Sequence, residues 1–95
     1  MEETRKRLLD MKIKSVICPY CKDIIYSRAR YDFRSCGCGK TSVDGGNGDK
    51  DNWEYERVVY SNDELPESIQ VEVDTTPQEL YDDWNYRKNK FGIIN

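Results

Sequence analysis

Ninety-five residues, 37% hydrophobic and 35% charged, allow one small domain with a small core, and such chains often need a metal, disulfides or a partner for stability. No window approaches ~18 consecutive apolar residues, so a membrane-spanning helix is excluded. No histidine is present, which removes the commonest general base, the usual triads and most catalytic zinc sites. The net charge of −3 is uneven: residues 1–40 carry ten Lys or Arg against five acids (+5), residues 41–86 two against thirteen (−11), and residues 87–95 return +3. Each region is suited to meet a different surface.

Residues 1–11 read as a short amphipathic helix or tail. The first ten mix charges with only Leu8 and Leu9, too little for a secretion signal, so a reducing cytoplasm is the expected compartment. KIKSVI (12–17) alternates and predicts a strand. DIIYS and YDFRS predict the arms of a hairpin with RAR near its tip. Residues 37–52 hold five of the six glycines plus Asp and Asn, the composition of a connector.

WEYERVVY (53–60) predicts one strand, with Trp53, Tyr55, Arg57 and Val59 on one face. SNDELPES reads as a loop, and SIQVEVD as a strand with Ile69, Val71 and Val73 inward. The last element is the clearest helix: Thr76 caps it, Pro77 takes the first position and Glu79 completes a capping box. Leu80, Trp84 and Lys88 form its stripe, with Tyr81 and Phe91 adjacent, and Gly92 is the expected stop.

All four cysteines lie in Cys18-Pro-Tyr-Cys21 and Cys36-Gly-Cys38. Two short loops with two thiols each match tetrahedral Zn²⁺, and in a reducing compartment clustered cysteines read as ligands. Another metal or cluster, or free or paired thiols, are the alternatives. Redox chemistry at the Cys-x-x-Cys would need a thioredoxin-like βαβ context, which is missing. Pro19 stiffens the first loop, while Gly37 and Gly39 let the second curl. Lys22, Arg34 and Lys40 are near in sequence to offset the charge of four thiolates. Four thiolate ligands leave no open position, so the expected role is structural. No nucleophile–base organisation appears elsewhere, and the chain reads as non-enzymatic.

Three other features carry binding readings. The acidic stretch, with aromatics among its acids, suits a protein partner; its candidate contacts are Asp44, Trp53, Glu54, Glu56, Asp63, Glu64, Asp82 and Asp83. The alternative is nucleic acid, held by Arg28, Arg30, Arg34, Lys22 and Lys40 around Tyr31 and Phe33. VDGG (43–46) reads either as an anion-binding nest, hence a small-ligand or enzyme site, or as a tight turn with Asp44 bonded to its own backbone.

Residues 18–46 resemble small zinc-ribbon-like Cys-motif proteins of bacteriophages and bacteria. The pattern is Cys-x-x-Cys, Asp-x-Ile-x-Ser, Asp-Phe-x-x-Cys-x-Cys-Gly and Val-Asp-Gly-Gly, matched at Cys18, Cys21, Asp23, Ile25, Ser27, Asp32, Phe33, Cys36, Cys38, Gly39, Val43, Asp44, Gly45 and Gly46. Tyr31 replaces a His common in that group, NGDKDN is inserted before WEYER, and the acidic tail from residue 61 lies outside the pattern. The resemblance implies a zinc knuckle, a phage-related origin and a site in the bacterial host's cytoplasm.

The expectation is therefore a single α+β domain over 1–95. A zinc-ribbon-like, zinc-stapled β region (12–60) gains additional antiparallel strands, and a strand and C-terminal helix follow (61–95). Its expected function is to bind, and inhibit, a host or anti-phage defence protein.

Overall fold

The computed structural model describes residues 10–60 and 64–94. In chain order the strands are β1 (Asp10–Ile17), β2 (Ile24–Ile25), β3 (Arg34–Ser35), β4 (Thr41–Asp44), β5 (Asn47–Asp49), β6 (Asn52–Glu54), β7 (Arg57–Tyr60) and β8 (Glu67–Asp74). Helix α1 (Pro77–Asn85) and strand β9 (Ile93–Ile94) close the chain. A six-stranded sheet has the order β5-β6-β1-β2-β9 with β8 on β1, and a three-stranded sheet has the order β3-β4-β7. This is an α+β arrangement, mostly β. Among the described residues no helix is long and apolar enough to cross a membrane.

Strand β1 organises the larger sheet. Its alternating residues Met11 and Ile13 are fully buried while Lys12 and Lys14 face out. β8 pairs antiparallel along the whole of β1, from Asp10↔Asp74 to Ile17↔Glu67. The opposite edge is shared by β6, parallel at Ile13↔Trp53, and β2, antiparallel at Val16↔Ile25. Ile69, Val71 and Val73 point inward from β8, as the alternation of SIQVEVD requires. Met11, Ile13, Tyr26, Trp53 and Leu80 form one core cluster. Val16, Ile25 and Val43 form a second with Cys18 and Cys36. Half-burying the second core on cysteines ties its integrity to whatever state those thiols adopt.

Helix α1 begins as its sequence dictates. Thr76 Oγ1 accepts from the Glu79 N–H at 3.1 Å, and Pro77 follows at the first helical position. The Glu79 carboxylate takes the Thr75 hydroxyl at 2.8 Å, rather than closing the box on Thr76. The helix stops at Asn85, well before Gly92. Arg87 adopts the left-handed conformation (φ 56°), its N–H bonds Trp84 O, and the Lys88 N–H bonds Asp83 O at 3.0 Å. This is a Schellman-type end built on arginine instead of glycine. Gly92, at φ 106°, serves elsewhere: its carbonyl accepts from Tyr26 N, and a Cβ there would lie 2.8 Å from Arg34 Nε.

Four expectations change. The arms 23–27 and 31–35 do not pair, because β2 joins β1 and β9 while β3 joins β4. Each cysteine pair instead lies in the turn of its own hairpin, β1–β2 and β3–β4. The connector 37–52 contains β4 and β5, whose short strands glycines did not prevent. WEYERVVY is two strands in different sheets, because the chain crosses over at Tyr55–Glu56, where Glu56 N bonds Asp44 O at 2.9 Å. Finally, Asp10 and Met11 belong to β1; the rest of the proposed N-terminal helix lies outside the described residues.

Candidate metal centre

The first knuckle is built by backbone bonds from Lys22 N to Cys18 O and from Cys18 N to Asp23 O, both 2.9 Å. Lys22 takes φ 68°, a left-handed conformation that costs a non-glycine residue about 1–2 kcal/mol. The second knuckle is built by Cys36 N to Thr41 O at 2.9 Å and Gly39 N to Cys36 O at 3.0 Å. Gly39 sits at φ 80°. Gly37 is needed for a different reason: its N–H donates to Asp23 Oδ2 at 2.8 Å, and a Cβ would lie 2.8 Å from that same oxygen. Asp23, buried in the first knuckle, thus clamps the second.

The result is that the Sγ atoms of Cys18, Cys21, Cys36 and Cys38 all lie within 4.8 Å of one another. Cys38 Sγ is 3.6 Å from Cys18 Sγ and 3.5 Å from Cys36 Sγ. Disulfide sulfurs sit at about 2.05 Å, so these are four free thiols. A tetrahedron of Zn–S bonds near 2.3 Å has sulfur–sulfur edges of about 3.8 Å, close to the two short edges at Cys38 and inside the 4.8 Å that bounds the set.

The surroundings favour thiolate at Cys18. Burial opposes ionisation of Cys18, but the Thr41 hydroxyl and the N–H groups of Cys21 and Tyr20 outweigh it, and its pKa falls from 9.0 to about 6. Cys38 moves the other way. The Lys40 N–H favours its thiolate, but desolvation and the neighbouring thiols of Cys36, Cys18 and Cys21 raise it to about 12. A bound cation is what would hold all four as thiolates. Thr41 Oγ1 is buried with no hydrogen-bond partner of good geometry. With Cys18 the acceptor left to it, that hydroxyl is the kind of donor a metal-bound thiolate uses. The residues present therefore fit a thiophilic metal.

Around this centre the remaining motif residues form a polar knot. Arg28, only 5% exposed, donates to Asp32 through Nε (2.8 Å) and Nη2 (3.2 Å), and to Asp83 through Nη1 (2.8 Å). Asp83, 1% exposed, also accepts from Lys90 N and Phe91 N. Desolvation works against its charge, yet Arg28 and those two N–H groups hold its pKa below the usual 3.8. Ser27 Oγ donates to the Ala29 and Asp32 carbonyls and accepts from Gly46 N at 2.9 Å. A Cβ at Gly46 would lie 2.6 Å from Ser27 O.

VDGG is thus a docked turn. Gly45 has φ 82°, and the Gly46 N–H that a nest would offer an anion is spent on Ala29 and Ser27. Asp44 pairs with Arg57 at 2.9 Å rather than with its own backbone.

The other candidate residues are scattered. Asp83 and Arg28, assigned by sequence to opposite surfaces, are bonded to each other in the interior. Trp53 is 7% exposed and its Nε1 donates to Ser27 O, so neither it nor Asp83 is presented to a partner. Asp44 and Glu56 share a groove with Arg30, and Trp53 and Glu54 line a separate cavity with Lys12 and Lys14. Asp82 is half-buried and accepts from Gln78; Glu64 is exposed. Asp63 lies outside the described residues.

Of the basic set, Arg30, Lys22 and Lys40 are exposed and Arg34 is half-buried. Lys40 Nζ stands 4.3 Å over the Tyr20 ring. Sequence reading missed Thr41 and the clamping role of Asp23. Thr41 carries no motif of its own, whereas Asp23 lies within the recognised pattern.

Fold and site together define a small, mostly β protein with two knuckles closing a four-cysteine centre. The chain belongs to the family described as "Domain of unknown function (DUF7695)", which matches residues 10–60, more than half its length and the whole of the centre. No curated protein and no solved structure matches it.

Proposed function

We propose that the chain is a zinc-stapled, non-catalytic binding protein. The observation that carries this reading is the convergence of four sulfurs, all within 4.8 Å, from two separate hairpins. Four thiolates complete a tetrahedral shell and leave no coordination position for water or substrate, which is the arrangement of structural zinc. Zinc is borderline-soft and has no geometric demand beyond this tetrahedron. Bound there, it would supply the charge that keeps four thiolates together and would cross-link β1–β2 to β3–β4.

The partner in this reading is a protein, and the phage-like motif makes a host or defence protein the class to seek. Support over the nucleic-acid alternative comes from Arg28, whose charge is neutralised internally by Asp32 and Asp83. Without it the Arg28–Arg34 segment offers no continuous basic stripe for a phosphate backbone.

Metal analysis of the purified full chain tests the staple. One zinc per chain is expected, with thiols that react only after chelation, and chelation should unfold the two hairpins. Less than half an equivalent of zinc with four freely reactive thiols overturns it. Retention on immobilised DNA or RNA that weakens steeply with salt, and is lost on reversing Arg30 and Arg34, would move the partner from protein to nucleic acid.

A further inference from the structure

The segment between the two knuckles alternates sharply in exposure. Asp32 is 2% exposed, whereas Tyr31 and Phe33 on either side are 76% and 53% exposed. Ala29 to Asp32 is a tight turn closed by Asp32 N on Ala29 O at 3.1 Å, which puts Tyr31 at its tip, and Phe33 follows just before β3. Here the inward residue is fixed: Asp32 Oδ2 accepts from both Arg28 N and Arg28 Nε at 2.8 Å. Two aromatic rings are therefore held outward on a loop braced through Asp32. Large exposed aromatics that the core does not use are a common mark of a contact surface.

Tyr31 and Phe33 rim a groove of ≈ 630 Å³ with Arg30, Asp44, Gly45, Glu56 and Arg57. Its charges are nearly all spent. Arg57 pairs with Asp44, and Glu56 accepts from Asn47 Nδ2 at 3.1 Å. Arg30 is exposed and has no partner among the described residues. Arg57 also opens β7, the outer strand of the three-stranded sheet. Among the described residues, one edge of β7 is unpaired, and Val59 and Tyr60 along it are exposed. Such an edge is a template for an added strand.

We infer that this face takes an extended segment of a partner protein that carries one carboxylate beside an apolar side chain. Its main chain adds to the edge of β7 left open among the described residues and continues past Arg57 across the groove, where an apolar side chain lies over Tyr31 and Phe33 and a neighbouring carboxylate meets Arg30. Two cations against two acids in the groove lining give no net positive field, so a polyanion has only Arg30 to engage. A braced aromatic pair lowers the ordering cost of binding. This inference rests on the binding-protein reading above and names its contact face.

The test is selection of a random 12-residue peptide display library on the zinc-loaded full chain, with the Tyr31→Ala/Phe33→Ala chain as counter-selection. The best enriched peptide is then synthesised and titrated. Enriched peptides should place Asp or Glu within a few residues of an aromatic or aliphatic side chain. Phe33→Ala should weaken binding at least tenfold, and Arg30→Glu similarly, with recovery when the peptide's acid is changed to Lys. N-methylation at alternate peptide positions should abolish binding, as strand addition requires.

No enrichment over the counter-selected chain overturns the inference. So do binders indifferent to Phe33 and Arg30, or single-stranded DNA or RNA bound through these same side chains. Because Tyr31, Phe33 and Arg30 are exposed, the variants should keep the parent's zinc content and melting temperature. A chain that holds no zinc defeats the proposed function; a folded, zinc-loaded chain that selects no such peptide defeats only this inference.

Discussion

Arg28→Met removes the guanidinium from between Asp32 and Asp83 while keeping most of the side-chain volume. Both acids remain in the interior, and the side chains of Arg28 and Asp83 are 6% and 2% exposed, so solvent screens the loss very little. Breaking a buried pair in this way costs about 3–5 kcal/mol. Asp83 would retain the Lys90 and Phe91 N–H groups, and Asp32 the Arg28 N–H. These surviving bonds place the expected loss near the lower end, about 3 kcal/mol.

A domain of this length has a total stability of roughly 5–14 kcal/mol, so the loss is a large fraction and lowers Tm by about 12–24 °C. Denaturation by urea, with zinc fixed in excess for every variant so that metal binding shifts each equally, measures it. Arg28→Met/Asp83→Asn should recover part of the loss, because one of the two orphaned charges has gone. A loss below about 1 kcal/mol with no recovery in the double variant would refute the knot as a stabilising element.

Thr41→Val removes the orphaned hydroxyl beside Cys18 at nearly constant volume. Zinc affinity, measured by competition with a chromophoric chelator, should fall about 10-fold or more, as loss of an outer-shell bond does, while Thr41→Ser should hold it. Gly46→Ala drives a methyl against the Ser27 carbonyl and should cost about 1–3 kcal/mol by thermal melting. Asp83 has a folded pKa below its ordinary value, so it contributes stability above the carboxylate range that is lost as pH falls through and below about 4. In acid titrations Asp83→Asn should therefore show a shallower loss of stability below that pH than the parent.

The cysteine centre was legible because metal ligation demands particular residue types at particular short spacings, and Cys18, Cys21, Cys36 and Cys38 satisfy both. β1, β8 and the start of α1 were legible because periodicity and capping are local. The errors were non-local. Nothing in WEYERVVY indicates that its first half serves one sheet and its second another, since that break is set by Trp53 opposite Ile13 and by Glu56 on Asp44. The early helix stop is a tertiary effect as well. Asp83 draws Lys90 and Phe91 back toward its carboxylate, so the chain must turn at Arg87, and glycine was a poor guide to where. Arg28 misled most, because an arginine between Ser27 and Arg30 reads as surface until its two carboxylates are located.

The motif residues other than cysteine make a consistent mechanical sense. Asp23 ties the first knuckle to the second through Gly37. Ser27 seats the VDGG turn through Gly46, and Asp32 fixes Arg28. These three links hold the loop between the knuckles, so the positions of the four thiols are set by more than their own turns. One polar connection leaves the family-matched region: Arg28 gives Nε and Nη2 to Asp32, and its Nη1 goes to a second carboxylate, Asp83, which comes from α1. That helix also supplies Leu80 to the cluster of Met11 and Ile13, and β8 covers the full length of β1. The C-terminal third therefore completes both the hydrogen bonding of Arg28 and the core of residues 10–60. Pinning Arg28 inward from both sides is also what leaves Tyr31 and Phe33 facing out.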